Sequence, residues 1–208
     1  NLSMSLVSMV YNFQLMAYIG PDGVAIYGVI QYVAWIAVSL LMGFTVGSSP
    51  IISYHYGAKN SAELKGLFRT CLGVMVAGGV LITVLTHLFA HPLAAVFVGY
   101  DPALCEMTVA ALGEYSLAFI FVGVSIFGSA FFTALNNGLV SALISFLRTL
   151  VFECAAVMFL PAIIGVDGIW LSIVVAEVMS LAVTIAFLIK THRVSSARGH
   201  EMKLEVYL

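Results

Sequence analysis

The stretch TCLGVMVAGGVLITVLTHLFAHP, residues 70–92, carries no Asp, Glu, Lys or Arg, and the interval free of them extends from Arg69 to Asp101. A hydrocarbon core about 30 Å thick takes about 20 apolar residues per helix, so this interval is long enough to cross it. Two more intervals of the same kind run from Asp22 to Lys59 and from Glu114 to Arg148. The runs are too long for strands and show no alternation of period two, which leaves helices to satisfy the backbone in lipid. The rest of the chain agrees. Of 208 residues 62% are hydrophobic and 9% charged, with a net charge of −2, whereas soluble domains carry about 25% charged residues. That balance excludes an ordinary soluble enzyme and a disordered chain. It also supplies no basic run for nucleic acid.

Turn formers divide the sequence into six expected helices, at about 3–19, 24–46, 67–89, 108–134, 140–161 and 169–190. The connections read as Gly20–Gly23, a long loop from Gly47 to Gly66, a loop from His91-Pro92 to Asp101-Pro102, Asn136–Gly138, and Gly165–Gly168. The expected fold class is all-α: a polytopic six-transmembrane-helix bundle over residues 1–190, followed by a cytoplasmic tail at 191–208. Lys59, Lys65 and Arg69 lie on the same side of such a bundle as Lys190, Arg193, Arg198 and Lys203, while the opposite loops carry Asp22, Asp101, Glu106 and Asp167 without a Lys or Arg. The positive-inside rule then places both ends of the chain in the cytoplasm, and the expected location is the plasma membrane.

Several smaller features have ordinary structural readings. Cys71, Cys105 and Cys154 are odd in number and widely spaced, and read as small core hydrophobes rather than a disulfide set or a zinc site. The two Gly-x-Asp-Gly turns, at Gly20–Gly23 and Gly165–Gly168, read as an aspartate cap beside a glycine of unusual backbone angles. Gly73, Gly78, Gly79, Gly113, Gly123 and Gly128 read first as sites of close helix approach. His87 and His91 have the i, i+4 spacing of two metal ligands, but no third ligand joins them and no metal is expected.

Ionisable groups inside the membrane carry the functional argument, because each costs about 2.5–3.5 kcal/mol at mid-span and needs a partner, a wet cavity or a proton. Glu114, Arg148, Glu153 and Glu177 are the candidates. The fifth helix holds both Arg148 and Glu153 and is expected to turn that polar stripe inward. Five residues apart on a straight α-helix, the two are separated by about 140° and make poor partners for each other. Glu153 and Glu177 fall near mid-span and suit a proton, cation or substrate site. Arg148 suits an anchoring or counter-charge role. Asn12, Gln14 and Gln31 are weaker polar signals that interhelical hydrogen bonds also explain.

The segment GSSPIISYHYGAKN at residues 47–60 resembles the P-I-I-S-Y-x-Y-G-A-K stretch that opens the second half of multidrug and toxic compound extrusion (MATE) transporters. A second match is Ser145-Phe146-Leu147-Arg148, then Leu160-Pro161, then Gly165-Val166-Asp167-Gly168-Ile169-Trp170, similar to the family's S-x-x-R, L-P and G-x-x-G-I-W pattern. The resemblance implies that the six helices correspond to helices seven to twelve of a twelve-helix antiporter, with an amino-terminal six-helix lobe missing from this chain. The opening at Asn1, without an initiator methionine, fits that expectation. It further implies export of small organic cations by alternating access, coupled to H+ or Na+, with no cofactor. Asn12 and Gln14 stand where some branches of the family carry an acid, and Glu114 lies in the helix matching the tenth as a candidate cavity acid.

Three rival readings stand beside this one. A lipid-linked oligosaccharide flippase of the same superfamily is expected to favour a cationic cavity for pyrophosphate, and one intramembrane Arg against three Glu points the other way. A self-contained six-helix protein acting as a dimer has the same composition. An intramembrane protease needs a Ser and His or paired Asp within the membrane, and this sequence offers no such set.

Overall fold

The computed structural model describes the backbone of residues 2–197 and the side chains of residues 3–189, and every described element is helical. In chain order these are α1 (Leu2–Tyr18), α2 (Pro21–Gly57), α3 (Ser61–Leu88), α4 (Ala90–Val98), α5 (Pro102–Ser116), α6 (Phe119–Ala134), α7 (Gly138–Phe146), a π-helical segment (Leu147–Phe152), α8 (Glu153–Ile164) and α9 (Asp167–Ala197). Four stretches are long and apolar enough to cross a membrane: Pro21–Gly57, Ser61–Leu88, Gly138–Ile164 and Asp167–Ile189. The pair α5 and α6, bent by 42°, makes one further, broken span. With its 17 residues, α1 lies at the lower limit of what spans. Four to five stretches thus qualify as spans, and with α1 counted beside them the expected six-helix division is roughly supported. Residue 190 falls inside α9, and residues 198–208 of the expected tail lie outside the described residues.

Two expected loops are largely helix. Most of the connection at 47–66 belongs to α2, which continues through Pro50 to Gly57, and to α3, which begins at Ser61. Proline removes one backbone donor, that to the Val46 carbonyl, and the hydroxyls of Ser48 and Ser49 add hydrogen bonds to the neighbouring Thr45 carbonyl in the turn before it. The true turn is shorter. Lys59 takes a left-handed conformation at φ 55°, and the Asn60 side chain caps α3 by accepting from the Glu63 amide. The second expected loop, 91–101, holds α4, and Pro92 lies in its first turn, where a missing N–H costs nothing. Asp101 then caps α5 by accepting from the amides of Ala103 and Leu104.

The glycine–aspartate turns are half as expected. Gly20 and Gly165 do take positive φ, 89° and 73°. Asp22, however, makes no cap: the α2 N-cap is Gly20, without a side-chain hydrogen bond. Asp22 and Asp167 sit instead in the first turns of α2 and α9, where a negative charge meets the positive end of the helix dipole.

The broken span is the centre of the bundle, with α6 packing against α2, α3, α7 and α9. Aromatic packing fills one side, where Phe68 of α3 meets Phe127 and Phe131 of α6 at ring-centroid distances of 5.9 and 4.8 Å. Close approach fills the other. A Cβ on Gly79 would run into the Phe119 carbonyl oxygen, and one on Gly128 into the Thr184 side chain, so at these two positions the glycines serve packing. At the bend itself, Thr83 of α3 donates to the Ser116 carbonyl at 2.9 Å, and the Ser116 hydroxyl lies 3.1 Å from His87 Nδ1. His87 is thus engaged in holding the bend, and among the described residues no group of three or more His, Cys, Asp or Glu could hold a metal.

Candidate functional site

The site forms where the polar stripe of the fifth span meets α9. Arg148 projects from the π segment, Glu153 opens α8 directly after it, and Glu177 lies on α9. All three line one cavity of about 720 Å³, together with Asn12 of α1, Gln31 of α2 and Tyr115 of α5. A cavity of that size falls within the range of small-molecule sites, about 300–1,000 Å³.

The π segment corrects the angular estimate made for a straight α-helix. Its hydrogen bonds run from i to i+5, so residues five apart lie one above the other rather than 140° apart. Arg148 and Glu153 therefore share the cavity wall. They remain poor direct partners, as expected, because the guanidinium turns to the other helix. Arg148 Nη1 stands 3.4 Å from Glu177 Oε1, with the two side chains 20% and 4% exposed.

This pair is loose. A charge-assisted hydrogen bond between such groups closes to about 2.7–2.9 Å, and at 3.4 Å the contact is electrostatic. Neither Arg148 Nη1 nor Glu177 Oε2 has a hydrogen-bond partner among the described residues. Buried polar atoms of this kind are costly without a partner.

The other sequence candidates divide. Asn12 lines the cavity, whereas Gln14 and Glu114 are not among its lining residues. Glu114 is partly buried on α5, within electrostatic range of Asp167, and its Oε2 lacks a partner among the described residues. Sequence reasoning missed the aromatic part of the wall: Tyr27, Trp35, Tyr115 and Phe119. Tyr11 backs it, stacked on Tyr27 with centroids 4.9 Å apart. Polar-tipped aromatics at mid-span were the available signal.

The chemistry of this surface is clear. Two carboxylates face one guanidinium across a space walled by aromatic rings, and ring faces attract cations.

A model of the MatE family matches residues 1–157. An outward-facing multidrug resistance MATE family transporter of the MOP superfamily is similar in structure, with a TM-score of 0.84 and 19% identity over 95% of this chain and 44% of that one. An inward-facing transporter of the same description is similar at 0.84 with 20% identity, over 96% of this chain and 46% of that one. A curated relative, an uncharacterised 21 kDa protein from the iaaL 5′ region of Pseudomonas savastanoi, is 30% identical over 91 residues, covering 44% of this chain and 30% of the relative. The chain thus spans less than half the length of each of these proteins.

Proposed function

The chain belongs to the MatE family, and on that premise we propose that it is the carboxy-terminal lobe of a twelve-helix exporter of small organic cations in the plasma membrane, driven by H+ or Na+. The observation that carries this reading is the placing of Glu153 and Glu177 with Arg148 in one cavity of about 720 Å³. With both carboxylates ionised the site holds one excess negative charge, and aromatic rings supply the apolar contact. Protonation of either carboxylate removes that excess, which gives a coupling ion and a cationic substrate a reason to exclude each other. Arg148, taken up by Glu177 at 3.4 Å, is poorly placed to serve a pyrophosphate, which counts against a lipid-linked substrate.

Support for alternating access comes from equal likeness, at a TM-score of 0.84, to an outward-facing and an inward-facing transporter. A lobe that matches both states equally moves as a rigid body against its partner lobe. The positive-inside count puts both ends of the chain in the cytoplasm. The test is efflux of ethidium from cells expressing the full-length protein, with Glu153→Gln and Glu177→Gln introduced singly. Loss of at least tenfold in efflux rate in either variant, at unchanged membrane abundance, is expected. Unchanged efflux in both removes the carboxylates from the site.

A further inference from the structure

A second, smaller chamber also borders Arg148. Its volume is about 220 Å³, and its wall includes Thr45 and Ser49 of α2, Ser125 and Ser129 of α6, Ser145 of α7, and Arg148 itself. Arg148 therefore borders both cavities. The chamber sits toward the Pro50 end of α2, where the Ser53 hydroxyl of the same helix donates to the Ala134 carbonyl at the end of α6.

These hydroxyls, running from buried Ser125 to exposed Ser145, suit an occupant that both donates and accepts. The Thr45 and Ser49 hydroxyls donate to carbonyls of their own helix, at 2.9 Å each, which leaves their oxygens as acceptors. Ser129 is engaged with Ser141 and Ser145 at 2.9 and 2.8 Å. Ser125 is the exception: it is 0% exposed and its hydroxyl has no partner among the described residues. Arg148 contributes a donor. Water meets every one of these requirements, and at about 30 Å³ per molecule several fit.

We propose that this chamber is a hydrated side branch that carries water, and the small ions dissolved in it, from the Pro50 end of α2 to the Arg148–Glu177 pair. Arg148 is the residue this chamber shares with the large cavity, whose wall also holds Glu177. The hydration stands by itself; its use as a separate ion route to Glu177 rests on the transport reading of the large cavity. The loose pair is then the junction of an ion branch and a substrate cavity. The π turn, which places Arg148 at that junction, is a feature frequent at functional sites.

The test is thiol labelling in membrane vesicles holding the full-length protein, in a background without other reactive thiols. Ser125→Cys, Ser129→Cys and Ser145→Cys are compared with Phe159→Cys, whose native side chain is 68% exposed on the outside of the bundle. The probe is a small, permanently cationic methanethiosulfonate, which reacts with thiolate and so requires water at the thiol. At least tenfold faster labelling at Ser129→Cys and Ser145→Cys than at Phe159→Cys is expected, and Ala130→Trp, on the chamber wall, is expected to slow it. Labelling as slow as at Phe159→Cys in every recovered chamber variant overturns the proposal. The readout needs no transport, so a failure of the efflux variants and a failure of the hydrated branch are separate results.

Discussion

Arg148 on the π segment and Glu177 on α9, 29 positions apart in sequence (177 less 148), meet at 3.4 Å in the wall of the large cavity, and Arg148 also borders the small one. The pair ties the fifth span to the sixth. Removing one member of a buried pair costs about 3–5 kcal/mol in water-soluble proteins, because the other charge is left without compensation, whereas replacing both is often neutral. Arg148→Met and Glu177→Gln are therefore each expected to lower the thermal unfolding temperature in detergent more than the double variant does. A double variant whose loss equals the sum of the two singles contradicts the coupling.

The π segment gives a prediction about deletions. Removing Leu150 from within Leu147–Phe152 brings Arg148 and Glu153 to a spacing of four, about 40° apart on an α-helix, so the two stay on one face. Removing Leu143 from the regular α7 instead turns one side of the helix by about 100° against the other. The Leu150 deletion is expected to accumulate in membranes near the native level and the Leu143 deletion to be degraded, as read by immunoblot. Equal loss of both argues against the π turn as an in-phase insertion.

Gly79 and Gly73 lie on the same helix and predict opposite outcomes. A Cβ at Gly79 meets the Phe119 backbone, while at Gly73 it meets nothing within 4 Å. Overpacking costs about 1–3 kcal/mol, and Gly→Ala in an open helical position gains up to about 1 kcal/mol. Gly79→Ala is expected to lower the unfolding temperature in detergent and Gly73→Ala to hold or raise it.

The bend in the broken span depends on Thr83, whose hydroxyl donates to the Ser116 carbonyl at 2.9 Å. Interhelical hydrogen bonds in membranes average about 0.6 kcal/mol and reach about 1.7. Thr83→Val keeps the shape and removes the donor. A destabilisation within that range is expected, and Thr83→Ser should recover most of it. Equal losses in Thr83→Val and Thr83→Ser assign the effect to packing.

Much of this was legible because lipid imposes a simple rule. Where charges are missing for 30 residues, a spanning helix follows, and turn formers divided the rest of the chain. Pro50 was misleading: in water it marks a helix end, but Ser48 and Ser49 support the turn before it and the helix continues. The carboxylates Glu153 and Glu177 stood out by their cost in lipid. Their geometry did not, since it depends on a π turn that no composition signals and on a contact with a different helix. Tyr27 and Tyr115 were passed over because tyrosine in an apolar run reads as core, and only the fold shows that both line the cavity.

The most direct measurement is equilibrium binding of radiolabelled tetraphenylphosphonium to the purified full-length protein in detergent, comparing native, Glu153→Gln and Glu177→Gln proteins. A saturable site in the native protein, weakened at least tenfold in one or both variants, is the predicted result. Equal affinity in all three, or a native protein that binds no cation, contradicts the account.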